Sequence, residues 1–197
     1  AHDAGAAVLI LCDTNGGTLP TEIYDMTKAA HEALPEAAIG IHAHNDCELG
    51  VANSLAAVEA GASQVQGTIN GVGERCGNVN LTSVIPILSL KTGGRYHCLP
   101  KEKMAQLASV SAYVAEIANM GLFARQPFVG RSAFAHKGGV HVSAVARKAS
   151  LYEHINPDSV GNRQRILITE LAGRSNIVSL AKRFGFHLDK DEPVVRG

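Results

Sequence analysis

Residues 8–17 read VLILCDTNGG, five apolar residues followed by a polar turn that ends in two glycines. A continuous apolar run of this length, closed by Asn and Gly, is typical of a β-strand buried on both faces. Thr18, Pro20 and Glu22 then follow in the order of a capped helix start, and apolar residues recur at helical spacing as far as Leu34. The stretch therefore predicts a strand, a polar turn and a helix.

The same pattern occurs twice more in the next 75 or so residues. Residues 39–46 read IGIHAHND and precede a helical stretch that Gly61 ends. A thinner strand, residues 65–69, runs into NGVGERCGN at residues 70–78, and a helix is expected from about Asn78 to Leu90. Strands that alternate with helices at this spacing indicate βαβ units and a parallel sheet, so the predicted fold class is α/β. Each polar cluster follows a strand, where such folds place their ligands.

The pattern changes after residue 92, and we predict three segments: residues 1–92, 93–136 and 137–197. In the second segment, apolar residues from Met104 to Ile117 recur at helical spacing, which predicts a linker subdomain built on a helix. The third is expected to be a linker subdomain of mixed α and β structure. It would hold a short helix after His141, a strand over residues 165–171 and a last helix over residues 177–184.

Composition restricts the function classes. The 197 residues carry 18 Lys and Arg against 18 Asp and Glu, with pI near 7.3, so no electrostatic footprint predicts nucleic acid or an anionic membrane as partner. No apolar run reaches the roughly 20 residues of a membrane helix. The four cysteines form no CxxC pair, which is typical of reduced thiols in a cytosolic protein. We therefore expect a cytoplasmic protein that acts on small molecules.

His42 and His44 are the sharpest chemical feature. Side chains two apart in a strand lie on one face, with Cα atoms about 6.5 Å apart, and two imidazoles at that spacing can bind one metal ion. The alternative is two histidines that share a polar strand end without a ligand. Their position at the end of a strand, directly before Asn45 and Asp46, favours the metal.

The glycine-rich stretch at residues 70–78 has three glycines whose backbone could approach a ligand closely. An ordinary turn before a helix is the alternative, and neither a phosphate-binding P-loop nor a dinucleotide fingerprint is present. Asn78 could offer its amide oxygen to a metal held by the two histidines, or could cap the next helix.

Three further residues could contact a substrate or move a proton. The hydroxyl of Thr14 could donate to a substrate carboxylate, or it could cap its own turn. His141 could act as general acid or base near neutral pH, with Tyr152 as its partner. Taken singly, each of these two is more often a surface or interface residue.

Five stretches in order resemble the acyltransferases that condense acetyl-CoA with a 2-oxo acid, the isopropylmalate, homocitrate and citramalate synthases. They are LCDTNGG (11–17), GIHAHND (40–46), NGVGERCGN (70–78), FAHKGGVHVSAV (134–145) and YEHINPDSVGN (152–162). The sequences of FAHKGGVHVSAV and of ELAGRSNI (170–177) most resemble those of the citramalate branch. Members of that branch condense acetyl-CoA with pyruvate to give citramalate and CoA in isoleucine biosynthesis. Lyases of the same barrel superfamily resemble the chain less at residues 70–78.

The resemblance implies part of a TIM barrel, followed by mostly helical linker subdomains, in an intertwined homodimer. It implies a divalent ion (Mg, Mn or Zn) and acetyl-CoA as co-substrate. By position, His42, His44 and Asn78 match the metal site and Thr14 matches the residue that holds the 2-oxo acid carboxylate. His141 and Tyr152 match the linker residues that reach the partner's active site. Glu74 and Arg75 match the glycine-rich loop, where Glu74 is expected to be catalytic and Arg75 to bind substrate.

The chain also departs from the family pattern. Three βα units are found where a barrel has eight. The sequence contains no counterpart of the family's first-strand motif, which carries an arginine and a metal-binding aspartate. Counterparts of a mid-barrel catalytic glutamate and of a regulatory domain are missing as well. We therefore expect a fragment of a longer polypeptide that does not turn over substrate alone. Alternative functions are an isopropylmalate or homocitrate synthase, a lyase, or a non-catalytic assembly module that docks through exposed strand edges.

Overall fold

The computed structural model describes residues 1–137, 144–145, 147–167, 173–189 and 191–196. These residues form two compact units. The first comprises Ala1–Leu99 with Tyr113–Asn119, and the second Pro100–Ala112 with Met120–Gly197. The division into segments 1–92, 93–136 and 137–197 stays a prediction.

The first unit contains a three-stranded parallel sheet in the order β1-β2-β3, which confirms the α/β prediction. Each strand precedes a helix, in the sequence β1 (Val8–Asp13), α1 (Pro20–Ala33), β2 (Ala38–Ala43), α2 (Gly50–Glu59), β3 (Gln64–Gln66) and α3 (Leu81–Lys91). In register, Leu11 lies beside Ile41 and Ile41 beside Val65. The next row is formed by Cys12, His42 and Gln66.

The helices cover one face of the sheet. Ile41 and Ala43 are fully buried and form a core cluster with Ile23 of α1 and Ala57 of α2. Because side chains alternate along a strand, His42 must lie on the opposite face. Burial of apolar side chains against α1 and α2 is thus what fixes which face carries the histidines.

The prediction that β1 is buried on both faces is wrong. Its four leading residues are only partly buried and Cys12 is exposed. The apolar run correctly indicated a strand, but α1 and α2 pack on one side, and only the side chains of that side enter the core cluster. The other face of β1 remains accessible to solvent.

The helix starts also differ from the predicted ones. Thr18 does not cap α1: its hydroxyl donates to the Asp13 carboxylate at 2.7 Å, and the N–H of Leu19 donates to Glu22 at 2.9 Å. Helix α3 begins at Leu81, not near Asn78, because the side chain of Asn80 accepts a hydrogen bond from the N–H of Thr82. Strand β3 is shorter than predicted, since at Gly67 the chain already passes close to the carbonyl oxygen of Val79.

The second unit is less regular. Its helices and strands are α4 (Lys101–Met104), the start of α5 (Leu107–Ile117), β4 (Ala135–His136), β5 (Arg165–Ile166), α6 (Arg174–Arg183) and α7 (Pro193–Arg196). The single helix predicted from Met104 onward is interrupted between α4 and α5. Strands β4 and β5 pair in parallel over two residues each, and the rest of the strand predicted for residues 165–171 lies largely outside the described residues. No helix among the described residues is long and apolar enough to cross a membrane.

We expect Ile41→Ala to lower the free energy of unfolding by about 2–5 kcal/mol, since it removes a fully buried side chain from the cluster between sheet and helices. The matched control is Ile117→Ala, the same chemical change at a residue that is 67% exposed; its effect should stay within about 0.5 kcal/mol. Urea denaturation followed by circular dichroism measures both. Equal losses for the two variants would contradict the assigned core.

Candidate active site at the carboxyl end of the sheet

The polar segments predicted from the sequence meet at one end of the sheet. Because parallel strands end at the same edge, the loops after β1, β2 and β3 are neighbours, and backbone hydrogen bonds join them. The N–H of His44 donates to the carbonyl of Asp13 at 3.3 Å, that of Asn45 to Gly77 at 2.9 Å, and that of Cys47 to Gly16 at 3.2 Å. The loops therefore hold one another in place before any ligand is considered.

His42 and His44 share one face of β2 and its extension, with ring centroids 5.2 Å apart. The two nitrogens of His42 are both engaged. Its Nδ1 lies 3.2 Å from Oε1 of Gln66, and its Nε2 lies 2.8 Å from the side-chain nitrogen of Asn78. If Nδ1–H donates to the glutamine oxygen, Nε2 carries the lone pair and faces Asn78. That tautomer leaves a neutral imidazole with its basic nitrogen toward the predicted metal site.

The donor set fits a divalent ion. Nδ1 of His44 is buried and has no hydrogen-bond partner among the described residues, which is costly for a polar atom unless a ligand pairs it. Asn78 can present either its nitrogen or its oxygen to the same spot, because the two ends of the amide exchange by rotation. Among the described residues no group of three or more His, Cys, Asp or Glu could hold a metal, so a metal at this edge would depend on the two imidazoles together with the amide of Asn78.

The glycines of the third loop make room for Asn78. A Cβ at Gly73 would overlap Oδ1 of Asn78, and one at Gly77 would overlap the carbonyl oxygen of Gly71. Gly77 also has φ of 93°, a conformation that side chains disfavour. The glycine-rich stretch therefore brings backbone and amide close together at the edge where His42 lies.

Arg75 joins all three loops. Its Nε and Nη2 bind the two oxygens of Asp46 at 2.7 and 3.0 Å, and Nη2 also donates to the carbonyl oxygen of Thr14 at 2.8 Å. We call this arrangement the three-loop clamp. The hydrogen bond from Arg75 holds the pKa of the Asp46 carboxyl below its usual value, and the carboxylate in turn raises the pKa of Arg75. The guanidinium predicted to bind substrate is thus already occupied by protein partners.

The remaining predicted residues of this edge are exposed. Thr14 uses its backbone carbonyl in the clamp, and its side chain lies at the surface beside the end of β1. Glu74 is exposed as well, and its charge contributes to the raised pKa of Arg75. Asp13, in contrast, is buried and accepts hydrogen bonds from Thr18 and Asn53, so its carboxylate tethers the first loop to α2.

In the second unit, Tyr152 is 44% exposed and follows a short 3-10 helix over Ala149–Leu151. His141 lies outside the described residues, so its pairing with Tyr152 stays a prediction. The structure adds a pair that sequence reasoning missed. The buried side chains of His136 and Glu153 lie 3.1 Å apart, and Gln164 donates to the same Glu153 oxygen at 2.8 Å. This fixes the backbone directly after Tyr152.

We expect Arg75→Gln to raise the pKa of Asp46 toward the usual value of about 3.9, because the substitution removes the hydrogen bond and the charge that stabilise the carboxylate. A carboxyl with a lowered pKa in the folded state contributes stability above its usual pKa and loses it as pH falls through the lowered value. The stability difference between the protein and Arg75→Gln should therefore shrink below about pH 4.

Carboxyl carbon NMR over pH 2–6 measures this pKa directly. The matched control is Arg95→Gln, which removes a second exposed arginine–carboxylate pair, the one with Glu59, at 2.7 Å. This control substitution should leave the pKa of Asp46 unchanged. An unaltered Asp46 pKa in Arg75→Gln would show that the clamp does not form.

Comparison with known proteins matches this architecture to families. Residues 1–114 match the HMGL-like family model, and residues 128–194 match the homocitrate synthase post-HMGL domain-like model. Curated (R)-citramalate synthases are 46–56% identical to the chain, the one from Aquifex aeolicus at 56% over 196 residues. A 2-isopropylmalate synthase from Rhodopirellula baltica is 36% identical over 197 residues. The chain spans about 37% of the length of these relatives.

Among solved structures, the chain is similar to the HMG-CoA lyase of Bacillus subtilis, with a TM-score of 0.53 and 22% identity over 63% of this chain and 42% of that chain. At that identity the likeness concerns the fold alone, and it agrees with the TIM-barrel type of βα unit expected from the sequence. The family model covers more than half of the residues, from residue 1 through most of α5. The chain belongs to the HMGL-like family.

Proposed function

We propose that the protein that carries this chain condenses acetyl-CoA with pyruvate to give citramalate and CoA, a step of isoleucine biosynthesis. The observation that supports this most is the higher identity to (R)-citramalate synthases, up to 56%, than to 2-isopropylmalate synthases, at 36–37%. The geometry agrees with it, because the carboxyl end of the sheet gathers metal-type donors and an exposed hydroxyl at one edge.

His42, His44 and Asn78 would hold the divalent ion, whether Mg, Mn or Zn. When bound, such an ion supplies Lewis-acid chemistry, which polarises the 2-oxo acid and stabilises negative charge on its carbonyl oxygen. Gln66 has the part of an outer partner. If it accepts a hydrogen bond from Nδ1–H of His42, Nε2 carries the lone pair and the orientation of the ring is fixed.

Thr14 and Arg75 divide the recognition of the 2-oxo acid between them. Thr14 is exposed, so its hydroxyl can donate to the substrate carboxylate, while the clamp from Arg75 to the Thr14 carbonyl fixes where that hydroxyl lies. We therefore assign Arg75 a positioning role in place of the direct substrate contact expected from the sequence. Glu74, on the same exposed loop, remains a candidate for contact with the co-substrate.

The condensation needs a proton acceptor. His141, with Tyr152 as its expected partner, is proposed to remove a methyl proton from acetyl-CoA. The resulting enolate carbon forms a bond with the keto carbon of pyruvate, whose oxygen becomes the hydroxyl of the product after it takes up a proton. Water then attacks the thioester, and the carbon–sulfur bond breaks to release CoA. We also propose a homodimer, in which the linker residues of one subunit reach the metal site of the other.

A non-catalytic assembly module is the second candidate. It is favoured by one observation: β1 and β3 are the outer strands of the sheet, and one face of β1 is accessible. Exposed strand edges of this kind pair readily with another chain. The activity assay below separates the two candidates.

The first test is a chimera in which this chain replaces the matching 37% of the Aquifex aeolicus relative. We expect CoA release with pyruvate, measured with a thiol reagent, to exceed that with 2-oxoisovalerate or 2-oxoglutarate. His42→Ala should lower kcat by about 100-fold or more, because it removes a donor from the group that stabilises the developing charge. The control is His187→Ala, an exposed histidine of the second unit. Preference for a larger 2-oxo acid would refute the pyruvate assignment, and inactivity of a folded chimera would favour the assembly module.

The second test is Mn²⁺ binding to the 197-residue chain by calorimetry. Manganese is chosen because four exposed free cysteines would take up zinc. We expect weak binding that His42→Ala reduces by more than about tenfold and that Gln66→Leu reduces by about tenfold, as outer partners do. His187→Ala serves again as the control. Binding that persists unchanged in His42→Ala would contradict the metal assignment.

A further inference from the structure

The second unit contains a cavity of about 770 Å³, formed by the start of α5 and by the loops near residues 122–131 and 161–165. This volume lies in the range of small-molecule sites. Part of its wall is apolar, with Leu122 49% exposed and Phe123 63% exposed. The cavity can thus accommodate the body of an organic ligand.

Three arginines, Arg131, Arg163 and Arg165, line the same cavity, and none of the described residues that line it is acidic. In the part of the chain that the structure describes, none of the three takes part in an ion pair. Nε of Arg165 is buried and has no hydrogen-bond partner among those residues. Guanidinium groups stay charged at all relevant pH values, so the cavity wall carries positive charge and an unpaired donor, and an anion would compensate both.

The cavity wall is built independently of any ligand. The side-chain nitrogen of Asn162 donates to the carbonyl oxygens of Phe128 and Gly130, both at 2.9 Å, and its oxygen accepts from the N–H of Arg163 at 2.8 Å. Gly161 has φ of 71° and lies against the carbonyl oxygen of Ala105, where a side chain would not fit. These contacts tie the arginine-bearing loops to each other, which lowers the entropic cost of binding.

We propose that this cavity binds a small organic phosphate, with the phosphate groups on the arginines and an apolar or aromatic body against Leu122 and Phe123. Arginine forks match phosphate oxygens in pairs, and a phosphate monoester carries up to two negative charges near neutral pH. A group of several guanidiniums therefore favours a multiply charged phosphate over a single carboxylate. The inference goes beyond the condensation proposed above and depends on neither the metal site nor pyruvate.

The test is calorimetric titration of the 197-residue chain with ADP, with adenosine and with coenzyme A, at low salt and at 0.3 M NaCl. We expect ADP, coenzyme A or both to bind, adenosine not to bind, and affinity to fall with salt because charges are screened. ADP alone would identify a ligand separate from the co-substrate, whereas coenzyme A alone would identify the co-substrate. Absence of binding by both phosphate compounds overturns the proposal.

Arg131→Ala and Arg165→Ala should each weaken binding by about tenfold or more, as loss of a charged hydrogen bond does. Arg165→Lys keeps the charge but not the paired N–H donors of the guanidinium, so its affinity should lie between those of the unsubstituted chain and of Arg165→Ala. Arg125→Ala is the matched control, an exposed arginine of the same unit that does not line the cavity. If circular dichroism shows that Arg165→Ala is unfolded, the affinity of the Arg131→Ala variant decides the test, because Arg131 is exposed. Equal affinity in Arg131→Ala and the unsubstituted chain, or an equal loss in Arg125→Ala, overturns the proposal.

Discussion

The guanidinium of Arg75 holds together the end of the sheet on which the candidate site is built. It reaches the carboxylate of Asp46 after β2 and the carbonyl oxygen of Thr14 after β1, from a loop that itself follows β3. An exposed ion pair contributes little to stability by itself. Its importance here is geometric, because three loops that share one guanidinium cannot move independently. The positions of Thr14 and of the glycine-rich loop both depend on that constraint.

The sheet beneath this clamp decides which side chains face the site. Burial of Ile41 and Ala43 against α1 and α2 turns His42 to the opposite face, and the parallel register puts Gln66 beside it. The position of the proposed metal donors is thus a consequence of core packing on the other face of the same strand. A one-residue slip of β2 would exchange the two faces and remove the histidines from the site.

Much of this could be predicted from the sequence because the information is local. The apolar runs and glycines indicated three strand–helix units, and the HxH spacing placed two imidazoles on one face. Partners distant in the chain could not be predicted. Gln66 opposite His42, Asp46 opposite Arg75, and His136 with Glu153 are separated by 17 to 29 residues, and only the folded register brings them together. The predicted helix starts were wrong for a related reason. The hydroxyl of Thr18 donates to Asp13 instead of capping α1, and Asn80, not Asn78, accepts the hydrogen bond at the start of α3.

The two units divide the chemistry in a way that the sequence did not indicate. The first carries two histidines and an asparagine that we propose to bind a cation, whereas the second carries three arginines that form no ion pair among the described residues. The central claim concerns the first, and paramagnetic broadening of NMR signals by added Mn²⁺ tests it most directly. Signals of His42, His44, Gln66 and Asn78 should broaden first, at ion concentrations that leave the rest of the chain sharp. Broadening that begins instead at the acidic side chains of Asp189, Asp191 and Glu192 would contradict the account.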